Sequence, residues 1–199
     1  MPDRWSVGIG LVVAGLLSAG TAAAAETDWP CIQPRVVELS VVQMWAGPPV
    51  DQTTSLWRDD QGVASLARSL ASRRTSLDEA SVAIARFSDA SGPGRDAKLT
   101  LLFAGVFELI NAERRRLING IERYARKQRS LADQIGETNR ALGRDTLSIQ
   151  ERTALAQKLQ WDTRIYDDRN QALTYVCESP VLLEQRVYSL SQEISHHLN

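Results

Sequence analysis

The chain has 199 residues, 23 basic and 24 acidic side chains, a formal net charge of −1 and 6% aromatic residues. A near-neutral balance excludes a polyelectrolyte basis for nucleic-acid binding, and the length supports a single core. Charged residues are plentiful while Gly and Pro gather in a few places, a composition that suits an all-α fold.

Residues 1–25 read as a secretory signal. Arg4 supplies the charged start, "VGIGLVVAGLL" the apolar stretch and "AGTAAAA" the small residues at which cleavage occurs. The apolar run falls short of the ~20 residues a comfortable membrane span needs, which favours a cleaved signal over an uncleaved anchor. "DWPC" has bulky residues where a lipoprotein signal needs small ones before Cys31. The expected product is a soluble periplasmic protein beginning near Glu26, with residues 26–199 forming one helical domain.

The segment "DWPCIQPRVVELSVVQMWAGPPVD", residues 28–51, holds Trp29, Trp45, Cys31 and four of the seven prolines. Proline enforces extended backbone, so residues 26–54 read as an ordered arm rather than a domain. Ser40 can cap a short turn over "VVQMW", with Gly47 and Pro48–Pro49 ending it. The tryptophans and valines of the arm need a surface to cover.

Helical signals follow. Val63, Leu66 and Leu70 share a helical face within residues 56–72. Ser76 and Glu79 form a capping box opening a helix over 77–89, with Ala80, Ile84 and Phe87 on one side. "SDASGPGRD" then breaks the chain. A long pattern over 96–142 begins with "LTLLFAGVFELI", apolar nearly all round and therefore buried on several sides. It narrows to a seam of Leu117, Ile121, Tyr124, Gln128, Leu131, Ile135, Thr138 and Leu142 at alternating spacings of four and three. Gly143 can end this helix in the left-handed conformation, and Ser148 and Glu151 form a second capping box. The next helix, over 149–177, carries Leu155, Leu159, Asp162, Tyr166, Arg169, Leu173 and Val176 at the same alternation. A short connection between two long helices predicts an antiparallel hairpin over 96–178. Ser179–Pro180 then reads as a cap and first-turn proline for a separate C-terminal helix over 180–197, with a stripe of Leu183, Val187, Leu190 and Ile194.

In an exported chain Cys31 and Cys177 pair by default, two free buried thiols or an intermolecular bridge being the alternatives. A Cys31–Cys177 bridge would fasten the arm as a lid over the apolar start of the long helix. The spacing is neither CxxC nor CxxCH.

Catalytic patterns are missing. HExxH, P-loop, GxGxxG and EF-hand sequences do not occur. The two histidines, His196 and His197, are adjacent at the C-terminus, which disfavours a metal site or a Ser-His-Asp triad. Asp59–Asp60 and Asp167–Asp168 lie in polar helical contexts that read as solvated faces. No catalytic, cofactor-binding or metal-ligating residue is therefore assigned.

Seven basic residues fall between 114 and 129: Arg114, Arg115, Arg116, Arg123, Arg126, Lys127 and Arg129. They read either as a solvated face paired with acids such as Glu151, Asp162 and Asp167 or as a patch for an acidic partner. Arg123, Arg126, Lys127 and Arg129 are the candidate interaction patch. "TLSIQERTALAQ" is similar to the Leu-Thr-x-x-Gln motif of exported stress chaperones built from helical hairpins. It is one residue short at Leu147–Gln150, has Ser for Thr and occurs once, so it assigns no family.

The sequence thus points to a non-enzymatic periplasmic protein that binds a protein or an anionic envelope component as an adaptor, chaperone-like binder or assembly factor. Nucleic acid is not an expected partner, and no cofactor is implied. The alternatives are a small-molecule-binding module or small enzyme with a pocket in the helical base, and a coiled-coil homo-oligomer with Gln128 and Thr138 setting register.

Overall fold

The computed structural model describes residues 29–50 and 56–199. The expected signal, the expected start near Glu26 and arm residues 51–54 lie outside the described residues. Five α-helices and no strand occur among the described residues: α1 (Val41–Met44), α2 (Gln61–Ala71), α3 (Leu77–Ala90), α4 (Arg95–Leu142) and α5 (Ile149–His196). The chain is an all-α protein built on a long antiparallel hairpin, as its periodicity indicates.

Local chemistry sets most helix ends. The Asp60 side chain accepts from Val63 N at 3.0 Å and opens α2. Ser76 with Glu79, and Ser148 with Glu151, form complete capping boxes at α3 and α5. The α2 C-terminus is closed from a distance: Arg186 of α5 donates to Leu70 O at 2.7–2.9 Å and to Thr75 O at 2.8 Å. A guanidinium there satisfies orphan carbonyls and complements the negative end of the helix dipole.

The core forms where α4 is apolar all round. Leu99, Leu102, Phe103, Val106 and Ile110 are buried with Val63, Ala67 and Leu70 of α2, Ala80 and Ile84 of α3, and the α5 stripe Leu183, Val187, Leu190 and Ile194. Close approach of α2 to α4 requires Gly105. A Cβ there would lie 2.9 Å from Trp57 Cδ2 and 3.0 Å from Ala67 Cβ.

Four sequence expectations are corrected. No separate C-terminal helix begins at Ser179–Pro180; α5 runs unbroken through Pro180 to His196. An interior proline costs ~3 kcal/mol, but α5 is held against α4 on both sides of it. Cys177 and Pro180 itself are buried, as are Leu183 and Val187 beyond. Second, Cys177 rather than Val176 sits inward, because a 3.6-residue helix drifts from a strict 3.5 repeat. Third, Gly143 is right-handed (φ −75°, ψ 0°). Arg152 makes a left-handed closure unnecessary by donating to Leu142 O at 2.9 Å and Arg144 O at 3.2 Å. Fourth, α1 ends at Met44, before Gly47. Gly47 is instead the residue on which the Trp45 ring lies, where a Cβ would overlap it.

The register of the hairpin is constant along its length. Hydrogen bonds join Arg114 to Pro180 O, Tyr124 to Arg169 O, Gln128 to Tyr166 O and Arg152 to Leu142 O. Each step forward on α4 is matched by one step back on α5.

Two glycines of α4 give opposite expectations. Gly105→Ala lowers stability by ~1–3 kcal/mol through overpacking against Trp57, despite its better helix propensity. Gly120→Ala, whose Cβ would meet only Arg123 Nη2 at 3.9 Å, raises stability by up to ~1 kcal/mol. Urea denaturation of the two variants checks both signs.

Candidate functional site

The arm lies along the groove between the two long helices. Cys31 and Cys177 form a disulfide with Cα atoms 5.6 Å apart at a sequence separation of 146. From there the arm descends antiparallel to α4. Arg35 pairs with Glu122, Val36 O accepts from Arg114, and Glu38 accepts from Arg115 at 2.7 Å. Leu39 N donates to Asn111 Oδ1 at 3.1 Å, and Trp45 stacks on Phe103 with centroids 4.1 Å apart. Ser191 of α5 closes the path by donating to Met44 O. The arm thus follows about 28 Å of helix between Glu122 and Phe103, a span its extended backbone can cover.

The bridge is therefore not beside the apolar start of α4, as the sequence suggested. Because α5 continues past Pro180, the core packs on residues 183–194, and Cys177 stands at the upper edge of the core near Ile118. Trp45 enters the core, whereas Trp29 stays half-buried with its Nε1 donating to Gln33 O at 2.7 Å.

The basic run divides by function. Arg114 is not solvated; its side chain is 4% exposed. Its guanidinium donates to Pro180 O at 3.3 Å, to Glu184 Oε2 at 3.2 Å and to Val36 O. Burial pulls its pKa down and the Glu184 carboxylate opposes that. A guanidinium remains cationic through such a shift. Arg115 serves the arm, and Arg116 pairs with Glu113 on its own helix. Arg123, Arg126, Lys127 and Arg129 are exposed. At 100° per residue they spread over roughly 160° of the outer face of α4 rather than forming one focus. Of the acids expected to face them, Glu151 is engaged in its capping box and Asp162 takes Lys158 on its own helix.

Beyond Ile121 the hairpin leaves the core. The buried residues of α4 past that point are Gln128 and Thr138, and α5 has none before Cys177. About 32 Å of two-helix hairpin projects. On its α5 side Trp161 is 63% and Tyr175 76% exposed. They lie about four turns apart, with Ile165, Asp168 and Ala172 between them at the same alternation of four and three. Sequence reading credited α5 with one seam; this second one was visible in the same spacing, displaced by one residue.

Between the upper arm and α5 a cavity of about 510 Å³ opens, with Arg114 and Glu184 among its polar lining groups and Trp29, Val36 and Tyr188 among its apolar ones. Among the described residues no three His, Cys, Asp or Glu side chains gather as a metal site. No described helix is long and apolar enough to cross a membrane. Asp60 serves as a helix cap and His197 Nε2 lies 3.6 Å from Glu193 on the same helix. Comparison with family models, curated proteins and solved structures finds no match to this chain.

Removal of the bridge has a bounded effect. The closed loop corresponds to ~5 kcal/mol in the chain-entropy model. Arg114, the arm ion pairs and the Trp45–Phe103 stack all remain without it. Cys31→Ser therefore lowers stability by no more than a few kcal/mol and leaves Trp45 buried, as denaturation and tryptophan quenching will show.

At the hairpin tip, hydrogen bonds from the Ser148 side chain and backbone hold the Glu151 pKa below the usual carboxylate range. A lowered folded-state pKa means that stabilisation is full above the unfolded value and is lost as pH falls through the folded one. Amide exchange in the first turn of α5 is therefore less protected, beyond the intrinsic pH effect, as the solution is acidified below the usual carboxylate range. Ser148→Ala weakens that dependence, leaving the part carried by the main-chain N–H of residue 148, and speeds exchange there roughly fivefold at neutral pH.

Proposed function

We propose that this is an exported periplasmic binding protein without catalytic activity, whose projecting hairpin contacts a protein partner while the disulfide-fastened base holds it. The observation that carries the reading is the length of the hairpin that serves no core. A two-helix unit buries little surface per residue, and isolated helices draw their stability mainly from packing. Some 32 Å of such structure with an exposed Trp and Tyr on one face is what a contact element requires. Tyr and Trp anchors dominate the energetics of many interfaces. Arg123 and Lys127, on the outer face of α4, would add electrostatic steering and raise the association rate more than the affinity. The disulfide supports an oxidising location, and the signal-like residues 1–25 support export.

The test uses the register. Replacing residues 130–163 by a short Gly-containing turn joins positions that face each other across the hairpin. The shortened chain should fold, keep its Cys31–Cys177 bond and lose the partner that the full-length chain captures by site-specific crosslinking in the native host at Asp168, an exposed position that both chains retain. Unfolding of the shortened chain would make the hairpin part of the core. An unchanged phenotype in the host would make it a spacer. A milder variant, Trp161→Ala, changes stability by less than ~0.5 kcal/mol and weakens the crosslinked complex at least tenfold.

A further inference from the structure

One stripe of α5 is covered by the base at its lower end and open along the hairpin. Ala154, Lys158, Trp161, Ile165, Asp168 and Ala172 recur at spacings of four and three, and the alternation continues through Tyr175 and Leu182 to Arg186 and Glu193. At its lower end α2 and α3 lie on it. Arg186 donates to Leu70 O and Thr75 O, and Glu193 accepts from the Ser81 hydroxyl. From Ala154 to Ala172 Ile165 is half-buried and the other stripe residues are exposed.

The open part is complementary to itself. Reversed about residue 163, Ala154 falls opposite Ala172, Lys158 opposite Asp168 and Trp161 opposite Ile165. Small meets small, cation meets anion and aromatic meets aliphatic, and a two-fold axis makes each match twice. The other helix carries the same symmetry. By the register of the Gln128–Tyr166 and Leu142–Arg152 hydrogen bonds, residue 131 of α4 stands opposite 163. Residues one place before the seam lie on one side of an antiparallel pair, and those one place after it on the other. Glu122 and Glu184 follow the seam, and both face the arm. Trp161 and Ile165 precede it on α5, as Arg123 and Glu137 do on α4. Those two α4 charges flank residue 131, so the same reversal brings Arg123 close to the height of Glu137 of the other copy. The length also fits. Residue 148 of the second copy comes opposite 178, and Arg186, where the base begins to cover the stripe, lies about 12 Å further down.

We propose that the partner of the projecting hairpin is a second copy of this chain, docked antiparallel through the α5 stripe about a two-fold axis at residue 163. The inference rests on the reading of the hairpin as a contact element and names what it contacts. Trp161 packs on Ile165 of the second copy at the centre, Lys158 and Asp168 fix the register on either side, and Arg123 with Glu137 repeats the match along α4.

Sedimentation of the purified, disulfide-bonded protein is the test. The native chain should be a dimer at about 50 µM and dissociate on dilution. Ala172→Arg sets a bulky charge where Ala154 of the other copy must lie and should give a folded monomer, as should the chain shortened across 130–163. Lys158→Glu and Asp168→Lys each place like charges opposite one another twice per dimer and should raise Kd roughly tenfold. Lys158→Glu combined with Asp168→Lys restores both matches and should bring Kd back to within about threefold of native. A parallel pair, in which each position meets itself, gives no such rescue. A native chain that remains monomeric, a dimer indifferent to Ala172→Arg, or a combined variant as weak as the single ones would each overturn the proposal. A monomer that still captures a different protein at Asp168 in the host overturns the self-pairing alone. A dimer whose shortening leaves the host phenotype unchanged overturns the functional reading alone.

Discussion

Arg114 is a cation held almost wholly out of water, and three chain segments keep it there. It belongs to α4, its Nε and one terminal nitrogen reach Pro180 O and Glu184 on α5, and the other reaches Val36 O on the arm. Withdrawing Glu184 would leave buried charge uncompensated, and withdrawing either carbonyl would leave a buried donor without an acceptor. Planar, forked donors make this geometry one that lysine cannot reproduce. The interaction therefore fixes relative position: where the arm enters the groove, and which residues of α4 and α5 stand opposite. The constant register from Arg114 to Arg152 is propagated from the same alignment, since neither helix is interrupted between those points by a break at which the register could change.

The arm shows how an apolar core and polar register divide the work. Trp45 against Phe103 supplies burial, which is non-directional and would tolerate sliding along the groove. Sliding is prevented by the charges above it. Arg35 faces Glu122 and Glu38 faces Arg115, so each charge among the described arm residues meets its opposite, and a shift along α4 would break the matches. Exposed pairs of this kind contribute little stability individually. Their effect here is on register, the use for which buried and interfacial charge is best attested.

Features governed by neighbours in sequence were legible in the chain. Both capping boxes, the hairpin, its seam on α4 and the α5 stripe at Leu183–Ile194 follow from local chemistry and periodicity. The cysteine pairing followed from the count of two and the signal-like character of residues 1–25. What escaped depended on packing between segments. Pro180 reads as a helix start because a local rule says so; only the packing on both sides, from Cys177 to Val187, shows why the helix continues. Arg114 could not be told from Arg115 or Arg116, since three consecutive arginines carry no mark of which one will face the groove. Gly143 was assigned a conformation that Arg152, nine residues on, makes unnecessary. The cavity was beyond reach for the same reason, being made by an arm, an arginine and a helix that sequence leaves far apart.

The bridge stands where the two halves of the molecule meet. Below it, Ile118 and the core residues are buried; above it, α5 presents no buried residue back to its capping box at the tip. The free energy of a local opening in a helix pair is set by the packing and hydrogen bonds that the opening breaks. Fraying from the tip would undo the seam at Gln128 and Thr138 while leaving Arg114, the arm and the core in place. A covalent tie at Cys177 sets the lower limit of that fraying on the arm side, because α5 cannot separate from the arm at this point without breaking a bond. The projecting part can then open without loosening the base beneath it. The position of the bridge, rather than its existence, is what separates the thinly packed hairpin from the base.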